Sequence, residues 1–228
     1  MLSEKKARLL SENLAKMMLQ YFETSMVSVC IVGSLASGEF IEGKSDLDLV
    51  VVLKEDKLEN IARSCTEKWV ANTEVKYGLE DQIEVFIKIK RNLCPPYNLE
   101  SQNMFEIARM IYQAVPIAGE LNVKDILLPP IKFFEDEYAV LKQAFLTQKK
   151  NRKLVLKYMR YENLLKKGIV EFNKEKTIGL YFDDDIKAFN TFENIFRNKG
   201  EDDLEEQIEN WMLKNFFEDF NSYRCDIG

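Results

Sequence analysis

The stretch that decides the fold runs from residue 33 to residue 53 and reads GSLASGEFIEGKSDLDLVVVL. Two aspartates, Asp46 and Asp48, stand one residue apart where its final apolar run begins. Residues i and i+2 of a β-strand point to the same face, so the two carboxylates are expected side by side. Neighbouring carboxylates repel each other unless a cation lies between them. The pattern therefore predicts a site for a hard divalent metal ion, with magnesium favoured.

The residues just before the two aspartates predict a phosphate-binding turn. Residues 27–32 (VSVCIV) have the β-branched, apolar character of a buried strand. Gly33 allows the backbone to turn sharply after this strand, and Ser34 is suited to cap the helical turn that follows. Free backbone N–H groups at such a turn form a site for a phosphate chain. A phosphate site close to paired carboxylates indicates phosphoryl or nucleotidyl transfer.

These motifs resemble a known signature. Gly33-Ser34, followed by segment 45–48 (SDLD) and an apolar strand, is similar to the signature of the DNA polymerase beta-like nucleotidyltransferases. That superfamily includes the aminoglycoside (kanamycin-type) and lincosamide adenylyltransferases and the minimal nucleotidyltransferases. The resemblance implies transfer of a nucleoside monophosphate from a nucleoside triphosphate to a hydroxyl, with two Mg²⁺ ions and three carboxylates. A solvated Asp-x-Asp hairpin is the alternative interpretation of the same residues.

The third carboxylate is expected on a neighbouring strand. Residues 82–88 (QIEVFIK) alternate, which places Glu84, Phe86 and Lys88 on one face. From the pattern alone, Glu84 is equally well explained as part of the solvated face of an amphipathic strand. The resemblance implies an acidic residue here, so we expect Glu84 to complete the metal site. Glu80 and Asp81 are the weaker candidates.

Composition indicates a small enzyme with a real core. The 228 residues are 46% hydrophobic and 11% aromatic, and no apolar stretch has the length of a membrane span. The N-terminal segment is charged and amphipathic rather than a signal peptide. The four cysteines lack any paired metal-ligand spacing and are expected as thiols of a reducing compartment. We therefore expect a cytoplasmic protein.

The chain contains no histidine. Catalytic triads, histidine zinc sites and histidine general bases are thereby excluded. The RNA-cleaving helical domain that often accompanies minimal nucleotidyltransferases depends on an arginine–histidine motif, so that activity is excluded as well. Carboxylates and magnesium remain as the expected chemistry.

Hydrophobic periodicity predicts strands and helices in the first half of the chain and helices alone in the second. With the resemblance, this implies an α+β protein: an α/β nucleotidyltransferase domain with a mixed sheet, followed by an all-α helical bundle. Pro129-Pro130 marks the boundary, which predicts a catalytic domain over 1–128 and a helical domain over 131–228. The expected elements of the first domain are a helix over 3–23, strands over 27–33 and 46–53, a helix over 57–71, a hairpin of 74–78 with 82–90, a helix over 99–112, an edge strand over 115–119 and a short helix over 123–128. The expected helices of the second domain are 133–149, 152–172, 184–197 and 203–220.

Charge is unevenly divided in the helical half. Residues 142–176 hold eleven Lys and Arg against three Glu, and residues 183–219 hold twelve acids against four bases. Two solvated helix faces are the simpler interpretation. The functional alternative is that Lys157 or Arg160 contacts a triphosphate, while the acidic stretch binds a cationic substrate such as an aminoglycoside. A net charge of −6 and a pI of about 5.1 disfavour a nucleic-acid substrate.

The sequence thus predicts a magnesium-dependent nucleotidyltransferase, with ATP the expected donor and a hydroxyl of a small molecule or protein the acceptor. Its general base is not identified, and Glu162 and Glu171 are possibilities. The alternative is an antitoxin-like or nucleotide-sensing regulatory protein on the same fold, and a homodimer is possible by analogy. The expected ligands of two Mg²⁺ ions are Asp46, Asp48 and Glu84, and the expected nucleotide-binding residues are Gly33, Ser34 and Ser45.

Overall fold

The computed structural model describes residues 1–97, 102–121, 126–147, 152–183 and 190. The chain divides into two compact units, Met1–Phe134 and Glu135–Gly228. This division falls inside a helix, a few residues beyond Pro129-Pro130, and the boundary expected from those prolines stays a prediction.

Eight of the described helices and strands lie wholly in the first unit, one helix spans the division, and two helices lie in the second unit. In chain order they are α1 (Glu4–Phe22), β1 (Met26–Val32), α2 (Gly33–Ser37), β2 (Leu47–Leu53), α3 (Glu59–Tyr77), β3 (Ile83–Ile89), α4 (Met104–Tyr112), β4 (Val115–Gly119), α5 (Ile131–Thr147), α6 (Arg152–Lys167) and α7 (Lys174–Phe182).

Helix α1 forms because its sequence supplies both a cap and an apolar stripe. The Ser3 side chain accepts a hydrogen bond from the Lys6 N–H at 3.3 Å, which satisfies one of the free donors at the helix start. Apolar residues then recur at helical spacing and are buried against the sheet. They are Ala7, Leu10, Leu14, Met18 and Phe22.

The four strands form one mixed sheet in the order β3-β2-β1-β4. Strand β1 pairs antiparallel with both β2 and β4, whereas β2 pairs parallel with β3. A parallel pair needs a crossover connection, and α3 supplies it. The predicted mixed sheet is confirmed, and β4 is an edge strand as expected, which explains why it tolerates Pro116.

The hairpin predicted for residues 74–78 with 82–90 is wrong. Residues 74–77 belong to α3, which ends where Gly78 adopts φ +61° and its N–H bonds to the Glu74 carbonyl. Val75, in the middle of the predicted strand, is 86% exposed on the helix surface. Strand β3 pairs with β2 instead, because the crossover through α3 brings it alongside in the parallel sense.

The second unit is helical where it is described, but its helices differ from the prediction. Helix α6 ends at Lys167 rather than at residue 172, and α7 was not predicted. The Asn173 side chain caps α7 by accepting the Lys176 N–H at 2.8 Å. The helices predicted over 184–197 and 203–220 lie outside the described residues, apart from position 190. Residues 123–125 of the short helix predicted over 123–128 also lie outside them, and its described residues 126–128 are not helical.

The core of the second unit combines aromatic packing with buried polar contacts. Tyr138 and Tyr161 stack with ring centroids 6.0 Å apart. Between α6 and α7, the buried Asn163 side chain donates to the Thr177 carbonyl at 2.9 Å. Among the described residues, no helix combines the length and low charge content that crossing a membrane requires.

Candidate active site

The turn after β1 is built around Gly33. This residue has φ +69°, a left-handed conformation that favours glycine. A Cβ placed on Gly33 would lie 2.0 Å from Oδ2 of Asp48. The absence of a side chain therefore lets the Asp48 carboxylate rest directly against the turn.

Two of the three predicted carboxylates lie side by side on neighbouring strands of the sheet. Asp48 and Glu84 are register partners in the parallel β2–β3 pair, where neighbouring strands lie about 4.8 Å apart and paired side chains share a face. Asp48 is half-buried and Glu84 is exposed. Asp46 is exposed and precedes β2 by one residue. Glu80 and Asp81, the weaker candidates, lie in the turn before β3.

The carboxylates fit a hard cation only in part. Carboxylate oxygens are the ligands that Mg²⁺ prefers, and the juxtaposition of Asp48 and Glu84 offers them from two strands. Within the described ranges, however, no group of three or more Cys, Asp or Glu side chains is arranged to hold a metal ion. The structure therefore brings together Asp48 and Glu84, and Asp46 is not gathered with them as a third ligand.

The structure places the two serines of the predicted site in different elements, Ser34 in α2 and Ser45 in the loop before β2. Ser34 is the second residue of α2, whose N-cap is Val32, so the expected capping role of Ser34 is wrong. The Ser45 hydroxyl accepts the Ile41 N–H at 2.9 Å, and the Ser45 N–H donates to the Ile41 carbonyl at 2.9 Å. Ser45 thus closes the loop that leads into Asp46, while its contact with a nucleotide stays a prediction.

Sequence reasoning missed Gln113, which follows α4. Its Oε1 accepts the Gly33 N–H at 3.2 Å, and its Nε2 donates to the Gly33 carbonyl at 3.2 Å. The expectation that the N–H groups of the turn are free is therefore wrong for Gly33. No sequence signal pointed to this contact, because 80 residues separate its partners.

The candidate residues of the second unit are engaged within that unit. Glu162 is 4% exposed and forms an ion pair with Lys166. Glu171 accepts the two N–H groups that follow it, each at 2.8 Å. Arg160 donates to the Phe172 carbonyl at 2.7 Å. Their functional roles stay predictions, as does that of Lys157.

Comparison with known proteins identifies one matching family. Residues 11–111, which contain every predicted site residue of the first unit, match the family model described as nucleotidyltransferase domain. The sequence comparison with curated proteins found no match.

One of three solved structures compared with this chain in fold has a TM-score above 0.5. Spectinomycin adenyltransferase AAD(9) from Enterococcus faecialis, with ATP and spectinomycin, superposes with a TM-score of 0.53 at 18% identity over 79% of this chain and 85% of that chain. A toxin–antitoxin structure with AMP-PNP has 17% identity, 59% and 93% coverage and a TM-score of 0.34. The tri-AMPylated Shewanella oneidensis HEPN toxin in complex with MNT antitoxin has 14% identity, 61% and 93% coverage and a TM-score of 0.33. The first similarity shows the fold alone, and the other two are too weak to carry an argument.

Proposed function

We propose that this chain transfers AMP from ATP to a hydroxyl group of a small molecule or protein, since residues 11–111 match the family model described as nucleotidyltransferase domain. The observation that carries the proposal is the Asp48–Glu84 pair beside the Gly33 turn. Two carboxylates near the start of two parallel strands, one of them resting against the Gly33 turn, offer a binding site for a cation–triphosphate complex.

We assign the metal site to Asp48 and Glu84, with Asp46 joining them from the loop before β2. Mg²⁺ held by these carboxylates would neutralise charge on the triphosphate and on the departing pyrophosphate. Asp48 is held on one side by the Gly33 backbone, so its carboxylate is oriented before any ligand arrives.

The remaining residues of the first unit orient the nucleotide. Ser34 is the proposed contact for a phosphate, because it follows Gly33 at the end of β1. Gly33 contributes by admitting the Asp48 carboxylate rather than by donating its N–H, which Gln113 already holds. Ser45 fixes the loop from which Asp46 projects.

In the proposed reaction, the acceptor hydroxyl oxygen forms a bond to the α-phosphorus of ATP. The bond from that phosphorus to the bridging oxygen breaks, and pyrophosphate leaves with the electron pair. The hydroxyl proton passes to a carboxylate base. The similar fold of an enzyme solved with ATP and spectinomycin makes spectinomycin and the aminoglycosides the first acceptors to test.

Isothermal titration with ATP, with and without Mg²⁺, tests the site. We expect metal-dependent binding by the wild-type chain and its loss in Asp48→Asn, because that substitution removes a metal-binding charge without changing side-chain size. Glu67→Gln, which neutralises an exposed carboxylate on α3, is the matched control and should bind as the wild type does. Equal binding by Asp48→Asn and the wild type would refute the assignment.

Transfer itself is tested by a screen of hydroxyl-bearing acceptors with labelled ATP. Label appearing in the acceptor together with pyrophosphate release supports the proposed reaction. Metal-dependent ATP binding without transfer to any acceptor would favour the regulatory alternative, in which the same fold senses a nucleotide or binds a partner.

A further inference from the structure

The position of Gln113 continues the pairing of β1 with β4. In that antiparallel ladder, Ile31 lies opposite Val115 and Cys30 lies opposite Pro116. Counting two residues onward from Ile31 reaches Gly33, and counting two residues back from Val115 reaches Gln113. The continued register therefore places Gly33 opposite Gln113. Strand β4 begins only at Val115, so Gln113 occupies the second register position outside the strand.

At this position a side chain replaces the missing main-chain pair. A primary amide carries an acceptor oxygen and a donor nitrogen, as a peptide does. The Gln113 amide uses both on one residue, with each hydrogen bond to Gly33 measuring 3.2 Å. The backbone of Gln113 is fixed in turn, because its N–H donates to the Arg109 carbonyl at 2.9 Å at the end of α4.

Gly33, which the Gln113 amide holds, also contacts Asp48, the candidate metal ligand. The position of a Cβ on Gly33 falls 2.0 Å from Oδ2 of Asp48 and 2.9 Å from its Cγ. Val32, the residue before Gly33, is the register partner of Asp48. Any shift of the Gly33 peptide therefore moves the surface against which the Asp48 carboxylate rests.

We propose that Gln113 is a positioning residue that holds the Gly33 peptide through both of its amide groups and thereby orients the Asp48 carboxylate. The inference rests on the proposed function, since it assigns Gln113 to the support of that metal site. Groups that orient a metal ligand from behind typically change metal affinity or activity about 10- to 100-fold when removed.

The first experiment measures the hydrogen bonds between Gln113 and Gly33 in the absence of any ligand. In Gln113→Ala, the backbone N–H of Gly33 loses its acceptor, so its amide hydrogen exchange should accelerate about 10-fold, the value of one typical hydrogen bond. Exchange at Val29, in the middle of β1, should stay unchanged. The carboxyl ¹³C resonance of Asp48 should also shift in this variant. Unchanged exchange at Gly33, or an unmoved Asp48 resonance, would overturn the proposal whether or not the chain binds ATP.

The second experiment measures the consequence for the site. The Mg²⁺ concentration that gives half-maximal ATP binding should rise about 10-fold in Gln113→Ala. Gln20→Ala, at an exposed position of α1, is the matched control and should match the wild type. Gln113→Glu should behave like Gln113→Ala, because its carboxylate accepts the Gly33 N–H but faces the Gly33 carbonyl without a donor.

The two experiments separate the two proposals. A wild-type chain without metal-dependent ATP binding would refute the proposed function, while Gly33 exchange and the Asp48 resonance would still decide whether Gln113 positions the carboxylate. If Gly33 loses its protection in Gln113→Ala but the Mg²⁺ dependence of ATP binding is unchanged, Gln113 has a structural role only, and the inference is refuted.

Discussion

Gly33 shows how much of the site depends on one missing side chain. Its backbone conformation is left-handed, with φ +69°, and the space a Cβ would fill is taken by the Asp48 carboxylate. The Gln113 amide engages the same residue from a second direction. A single glycine thus joins the end of β1, the start of β2 and the residue that follows α4.

Gly33→Ala should be much more destabilising than the same change at Gly78. Gly78 also has a positive φ, +61°, but nothing lies within 4 Å of its Cβ position. Both variants carry the backbone strain of a left-handed alanine, roughly 1–2 kcal/mol, so their difference reports the collision with Asp48. We expect Gly33→Ala to lose about 2 kcal/mol more free energy of unfolding, the typical effect of overpacking.

Urea unfolding of the two glycine variants measures this difference, and Mg²⁺-dependent ATP binding should be lost in Gly33→Ala alone. Equal stability of the two variants would mean that the Asp48 side chain moves away freely, in which case the Gly33 backbone does not hold it.

Cys30 should be the least reactive of the three cysteines among the described residues. It is fully buried in β1, whereas Cys65 and Cys94 are partly exposed. Burial raises the pKa of the Cys30 thiol, and a contact with the Ser28 hydroxyl lowers that pKa by a smaller amount. Since the thiolate is the reactive form, iodoacetamide at pH 8 should modify Cys65 and Cys94 first, as read by peptide mass spectrometry.

The raised pKa of Cys30 also makes the free energy of unfolding depend on pH. Below the ordinary thiol pKa of about 8.5, the thiol is protonated in both the folded and the unfolded chain. As pH rises above that value, the unfolded chain loses the proton first, so the free energy of unfolding falls until the folded-state pKa is reached. This fall should be shallower in Cys30→Ala than in the wild type, and identical slopes would contradict the raised pKa.

At the scale of secondary-structure elements, α4 has a stabilising cap at its start and leads at its end into Gln113, which contacts the candidate site. Its N-cap is Asn103, whose side chain accepts the Glu106 N–H at 3.0 Å. Its other end leads directly into Gln113 and then into β4. The helix is only nine residues long, so its termini make up much of its hydrogen bonding.

Asn103→Ala should lower the free energy of unfolding by about 1 kcal/mol, because it removes a capping acceptor. Asn103→Asp keeps the acceptor and places a negative charge at the positive end of the helix, so it should be as stable as the wild type. Thermal and urea unfolding of both variants provide the measurement. Equal losses in the two variants would show that the amide group, rather than the cap, matters at this position.

At the scale of the whole molecule, charge opposes binding to nucleic acid. The net charge is −6, although residues 142–176 carry eleven Lys and Arg against three Glu. Affinity for a phosphate backbone depends on neutralising many phosphates with Lys and Arg. The donor triphosphate needs only a local site, which the first unit can provide with bound cations.

We therefore expect no detectable binding of a labelled single-stranded RNA at physiological salt, measured by fluorescence anisotropy. Metal-dependent ATP binding in the same buffer serves as the positive control. Binding at micromolar protein that weakens steeply with added salt would instead show that the segment 142–176 forms a basic surface, and would reopen nucleic acid as the acceptor.

The sequence by itself determined the parts of the molecule that depend on local pattern. The apolar runs predicted β1 and β2, the glycine after β1 predicted the turn, and two aspartates one residue apart marked the start of β2. These inferences held because strand alternation and glycine turns are set by residues within a few positions of each other. The lengths of α3 and α6 were not predictable in this way, since tertiary packing overrides local preference.

Only the tertiary structure decided which distant residues meet. The parallel pairing of β3 with β2 placed Glu84 opposite Asp48, where the sequence had indicated a hairpin with residues 74–78. The contact of Gln113 with Gly33 spans 80 residues, and the sequence around neither residue predicted it. The physical reason is that strand register and long-range side-chain hydrogen bonds depend on which faces of the strands and helices are buried together. This burial is determined only when the whole sheet assembles.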